Sequence, residues 1–83
     1  MFKVVFDKDA EKEFLKLDKT VKEQIAKKLL DLQEGVFAHD KPLKGNHKGK
    51  FRKRAGDYRI VYLRENDILV ITLIRIAHRK EVY

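Results

Sequence analysis

The stretch Ile68-Leu-Val-Ile-Thr-Leu-Ile-Arg-Ile76 is apolar at nearly every position, and it constrains the fold more than any other part of the chain. A strand with one solvated face alternates apolar and polar residues, whereas a near-continuous aliphatic run needs cover on both faces. Its place is therefore central in a sheet. Two further strands precede it, Lys50–Arg54 and Tyr58–Glu65, with short turns at Ala55-Gly56-Asp57 and Asn66-Asp67. Turns this short join antiparallel neighbours, so the three strands form a meander.

The first half reads as scaffold. Phe2 to Phe6 is β-branched and aromatic, which suits a strand buried on both faces. Asp7 or Asp9 can cap a helix in which Ala10, Phe14 and Leu17 recur at helical spacing. After a break at Asp18-Lys19, Thr20 and Glu23 have capping-box spacing. The helix they open carries Val21, Ile25, Leu29 and Leu32 on one stripe, and Gly35 is placed to end it. Two amphipathic helices with so short a link form an antiparallel hairpin, and their stripes need a sheet to cover. Val36 to Gly49, with Pro42, Gly45 and Asn46, reads as a loop. The expectation is one α+β domain over residues 1–83: β-α-α-β-β-β, an antiparallel meander sheet packed on one face by a helical hairpin.

Several functional classes drop out early. With no cysteine and no serine, there is no disulfide framework, thiolate metal site or serine nucleophile. His39, His47 and His78 lack the spacing and companion carboxylates of a metal site, and no glycine-rich nucleotide loop is present. No apolar run reaches the ~20 residues that span a bilayer, and the N-terminus lacks the layout of a secretory signal. The expectation is a cytoplasmic protein that needs no metal or other cofactor.

Charge is more informative when divided along the chain. Residues 1–40 hold eight lysines against nine acids, a net of −1, whereas residues 41–83 hold twelve basic residues against four acids, a net of +8. All six arginines lie in that second part, and a guanidinium fork binds phosphate bidentately. A basic patch of this kind suits a nucleic acid. In a strand, Lys50, Arg52 and Arg54 share one side and Phe51 and Lys53 the other. Phe51 anchors the core, as do Tyr58, Ile60 and Tyr62 on the next strand, so Lys50 and Arg52 face away from the helices. Arg59 can lie beside them, depending on register. His78, Arg79 and Tyr83 follow the last strand and are within reach of the same face.

A cationic cluster with tyrosine and histidine suits the cleavage of RNA by its own 2′-hydroxyl. The 2′-oxygen attacks the adjacent phosphorus, leaving a 2′,3′-cyclic phosphate and a 5′-hydroxyl. The step needs a base, cations for the phosphorane and a proton for the leaving oxygen. Arginines meet the second need, and a lysine crowded by other cations can become a base.

The pattern Leu43-Lys44-Gly45, Lys50-Phe51-Arg52, Gly56-Asp57-Tyr58-Arg59-Ile60-Val61-Tyr62 and His78-Arg79-Lys80-Glu81-Val82-Tyr83 resembles the RelE toxins of the RelE/ParE superfamily of type II toxin-antitoxin systems. The likeness runs along essentially the whole chain. The Tyr-Arg-Ile-Val-Tyr strand is common to the superfamily and speaks for the fold. The set Lys50, Arg52, Arg59, Arg79 and Tyr83 is more specific. The resemblance implies an mRNA interferase, an endoribonuclease that cuts mRNA in the ribosomal A site and is restrained by a cognate antitoxin. By position it implies catalytic roles for Lys50, Arg52, Arg59, Arg79 and Tyr83, with His78 beside them. Lys41, Lys44, Lys48, Lys53 and Arg54 would steer the protein onto RNA and ribosome. The family often has lysine at the place of Arg52; arginine does not deprotonate, so the base would fall to Lys50 or to His78. Relatives that use a glutamate before Pro-Leu-Lys differ from this chain, which has Lys41 there. The alternatives are a ParE-like toxin that inhibits DNA gyrase without cutting RNA, or a degenerate toxin that acts as a binding module.

Overall fold

The computed structural model describes residues 1–45 and 48–81. Among these, β1 (Lys3–Phe6), α1 (Lys8–Leu15), α2 (Lys19–Gln33), β2 (Lys41–Pro42), β3 (Lys50–Ala55), β4 (Tyr58–Glu65) and β5 (Val70–His78) follow in order. The strands form one sheet in the order β1-β5-β4-β3-β2. β1 is parallel to β5, and the other neighbours are antiparallel. The chain starts at one margin, crosses one face through both helices, re-enters at the other margin and returns by the meander.

β5 is interior, as its apolar run requires, but begins and ends two residues later than the sequence suggests. Ile68 is exposed, and Leu69 takes a left-handed φ of 54° in the turn that delivers the chain to Val70. β1, expected to be covered on both faces, is a margin with Lys3 exposed. The second helix starts at Lys19, because the Asp18 side chain accepts from the Val21 amide at 2.9 Å. Asp18 thus takes the cap expected of Thr20, and a carboxylate there also meets the positive end of the helix dipole. The two-residue β2 is too short to leave a periodic signal.

The helices rest on the sheet individually, α1 along β5 and β1 and α2 across β1 and β3. Ala10, Ile25 and Leu32 meet Ala55, Ile60, Tyr62, Ile71, Leu73 and Ile76 in one core. Burying each large aliphatic side chain contributes ~1.5–3 kcal/mol. β1 pairs with residues 70–73 of β5, and beyond them no other strand among the described residues covers that side. Glu13 of α1 covers it: Oε1 accepts the Ile76 amide at 2.8 Å, and Oε2 takes the Arg75 Nε at 3.4 Å.

One charge lies inside. Lys53, 6% exposed, faces the helices beside Phe51 and donates from Nζ to Asp40 Oδ1 at 2.9 Å and to the Val36 carbonyl at 3.1 Å. The Tyr62 hydroxyl donates to the second oxygen of Asp40. Burial, then the hydrogen bond and the negative charge of Asp40, push the Tyr62 hydroxyl well above its ordinary range. Arg64, on the same face, places its guanidinium carbon 4.5 Å from the ring centres of both Phe37 and Phe51.

Truncating Lys53 leaves the Asp40 carboxylate buried without its cation. Lys53→Ala is expected to cost ~3–5 kcal/mol in denaturant unfolding, whereas Lys53→Met with Asp40→Leu costs much less, because breaking a buried pair is worse than replacing it. Tyr62 also shapes the alkaline response. Its folded pKa is raised, so its contribution is complete below the unfolded tyrosine value of ~10 and is lost as pH rises beyond it. Stability measured from pH 9 to pH 11 should fall, and Tyr62→Phe should flatten that fall.

Candidate functional site

The register of β3 against β4 builds the site. Lys53 pairs with Ile60 and faces the helices, so Arg54 opposite Arg59 and Arg52 opposite Val61 face the other way. Lys41, paired with Arg52, joins them from β2. Their side chains, with His39, line a concave groove of about 380 Å³ on the helix-free face. Val61 forms part of this face's floor and is 8% exposed.

The Gly56-Asp57 turn holds two of these arginines. Gly56, at φ 60°, starts a two-residue hairpin loop, a conformation that glycine adopts without strain. Its carbonyl accepts from Arg54 Nε and from Arg59 Nη1, each at 3.3 Å, and Arg59 Nη1 also donates to the Tyr58 carbonyl at 3.1 Å. Arg79 is tied to the same turn. Its amide donates to the Asp57 carbonyl at 2.7 Å, and its Nε lies 4.0 Å from Asp57 Oδ1. Three guanidinium groups thus gather around one hairpin end, which concentrates positive charge where a phosphate can bridge them.

Lys50 shares the face but lies at the far end of β3, opposite Leu63. At a strand rise of ~3.3 Å per residue it stands roughly 13 Å from Arg54 along the backbone, with Arg52 between. Lys44, Lys48 and Arg54 are exposed, and of these Arg54 lines the groove. Tyr83 lies outside the described residues.

Two sequence expectations are corrected. Lys53, expected to steer RNA, is inside the core edge and paired with Asp40, because the strand that turns Arg52 outward turns Lys53 inward. His78, expected on the cationic face, is the last residue of β5 and pairs with Tyr58, which packs on the helix side. The two rings meet edge-on at 5.4 Å, and His78 Nδ1 accepts the Lys80 amide at 3.2 Å. Conversely, His39 was not among the expected site residues. No periodic signal marked it, because His39 lies in the turn at Phe37–Asp40 and not in a strand.

Among the described residues no set of three or more histidine, cysteine or acidic side chains is gathered as metal ligands, and no helix is long and apolar enough to cross a membrane. What the groove offers is fixed positive charge with one imidazole.

Residues 4–83 match a family model described as the ParE toxin of type II toxin-antitoxin system, parDE. The mRNA interferase toxin RelE of Escherichia coli K12 is 36% identical over 81 residues, covering 94% of this chain and 85% of the relative. The crystal structure of the isolated E. coli RelE toxin superposes with a TM-score of 0.81 at 30% identity, over 94% of this chain and 84% of that one. A chain of the toxin-antitoxin complex RelBE2 from Mycobacterium tuberculosis gives a TM-score of 0.83 at 25% identity, over 94% and 98%.

The groove predicts a salt signature. For a single strand such as poly(U), each phosphate contact contributes a slope of ~0.7 to log affinity against log salt. Changing Arg52, Arg54 and Arg59 together to Gln should reduce the slope by ~2. Arg64→Gln should leave it unchanged and lower stability by ~1–2 kcal/mol through its two lost ring contacts.

Proposed function

The chain belongs to the RelE/ParE superfamily of type II toxins, and on that premise we propose that it is an mRNA interferase, an endoribonuclease restrained by a cognate antitoxin. The observation that carries this reading is the clustering of Arg52, Arg54 and Arg59 on one solvent-facing side of the sheet. The relatives favour it too: one is called mRNA interferase toxin RelE, and chains of RelB–RelE complexes share the fold. The substrate is message in the ribosomal A site, so the protein acts in the cytoplasm with ribosome, mRNA and antitoxin as its partners.

The chemistry follows from the inventory. The 2′-oxygen forms a bond to phosphorus as the bond to the 5′-oxygen breaks, giving a 2′,3′-cyclic phosphate and a 5′-hydroxyl without a metal. Arg52 and Arg59 straddle the scissile phosphate and stabilise the charge that grows on its oxygens. Lys50, beside Arg52 on the same face, takes the 2′-hydroxyl proton. Its rival for that role, His78, is turned to the other face. Arg79 adds charge from the hairpin end, and Tyr83 orients the nucleotide. Lys41, Lys44, Lys48 and Arg54 guide the RNA inward. The site is shallow, so the ribosome must hold the nucleotide in line, and free RNA is a poor substrate.

The description of the matching family model favours a second reading, a ParE-like toxin that inhibits gyrase. Under it the outward arginines bind protein and have no phosphorane to stabilise. Cell-free translation with mapped mRNA ends separates the two. Cuts within codons at the A site support the interferase. Intact message together with blocked DNA supercoiling would overturn it.

Lys50→Ala, Arg52→Ala and Arg59→Ala are each expected to slow cutting of ribosome-bound mRNA by ~10²–10³ while the circular dichroism spectrum is preserved. Tyr83→Ala should relieve growth arrest. Full toxicity of all four variants would remove this assignment.

A further inference from the structure

Proton transfer at the leaving-group side is not explained by the residues considered so far. An in-line displacement places the nucleophile and the leaving oxygen on opposite sides of phosphorus, so base and acid belong at opposite ends of the phosphate clamp. Lys50 occupies one end of β3. At the other end stands Arg54, and the groove wall there is completed by His39. The pairing of Lys41 with Arg52 and Pro42 with Phe51 sets the direction of this antiparallel segment. The chain before it turns at Phe37–Asp40, and His39, in that turn, lines two concavities together with Arg54.

His39 is held there by its neighbour. Asp40 is gripped by Lys53 and Tyr62, and its amide donates to the Phe37 carbonyl at 3.0 Å. The buried carboxylate thus pins the backbone while the adjacent imidazole stays exposed on the groove. The other groove-lining side chains are Lys41 and three arginines. Guanidinium groups do not release protons near neutrality, whereas imidazole does.

We propose that His39 is the general acid of this chain, protonating the 5′-oxygen as the phosphorus–oxygen bond breaks. The inference rests on the interferase reading. In the step, the 2′-hydroxyl proton passes to the Lys50 nitrogen as the new oxygen–phosphorus bond forms. The imidazolium of His39 gives its proton to the departing 5′-oxygen. Both groups then return to their starting states by exchange with water. Arg79 does not fill this role, being a permanent cation beside Asp57. The groups facing His39 are Lys41, Arg52, Arg54 and Arg59 in the groove. On its other side, a second concavity brings Lys28 and Asp31 of α2, with Asp40 and Lys53.

The test uses the full chain with ribosomes programmed with two messages, one ordinary and one carrying sulfur in place of the scissile 5′-oxygen. A thiolate leaves without a proton, so this substrate bypasses the acid. His39→Gln should cut the ordinary message ~10²-fold more slowly. It should cut the sulfur message within a few-fold of wild type. A denaturation curve for the variant confirms that the fold is kept, and His39→Asn repeats the measurement with a smaller amide. Wild-type rates for these variants on the ordinary message would overturn the proposal, as would a defect of equal size on both messages. Failure of the wild-type protein to cut either message would instead overturn the interferase reading, and this inference with it.

Discussion

A strand with charges at four of five consecutive positions, Lys50, Arg52, Lys53 and Arg54, cannot send all of them to water. Side chains alternate, and Phe51 and Ala55 belong to the core, so Lys53 must go inward with them. The fold depends on how that charge is accommodated. Asp40 meets it from thirteen residues away, and Tyr62 satisfies the carboxylate's other oxygen. The same clamp fixes the chain just before β2, where Lys41 and Pro42 pair with β3 and His39 closes the far wall of the groove. A one-residue slip of β3 would exchange the buried and solvent-facing sets and leave three cations without compensation. Core and site are therefore specified by one alternation.

The arginines gain from being fixed. Long side chains normally give up rotamer freedom when they bind an anion, which weakens the contact. Arg54 and Arg59 are already oriented by the Gly56 carbonyl, and Arg79 by Asp57. Part of that ordering is completed when the chain folds, and an incoming phosphate meets a cationic array in place. The comparatively weak neutral acceptor also leaves these groups able to exchange toward a charged one.

Much of this was legible in the sequence, and the omissions have physical causes. The continuous apolar run located β5, the tight turns located the meander, and period-2 alternation separated Arg52 from Phe51. The same alternation put Lys53 beside Phe51, yet its burial depended on a distant carboxylate that local patterning does not identify. Asp18 and Thr20 are both good caps two residues apart, and only the observed hydrogen bond separates them. His78 looked like part of a tail because the strand was ended at Ile76. Two more residues of pairing turn it toward Tyr58, on the face opposite the arginines. His39 escaped attention because it sits in a turn, where no alternation marks its face.

Glu13 has a consequence for how the molecule behaves among its own copies. Where β1 ends, the outer margin of β5 offers an amide that another chain's backbone could take up, and the apolar sequence there has strong β-propensity. A single carboxylate from α1 occupies that amide at Ile76 and draws Arg75 across the gap. Solubility at this margin is thus entrusted to the docking of one short helix. Whenever α1 lifts, a closed edge becomes a template, and the route from a local opening to self-association begins there.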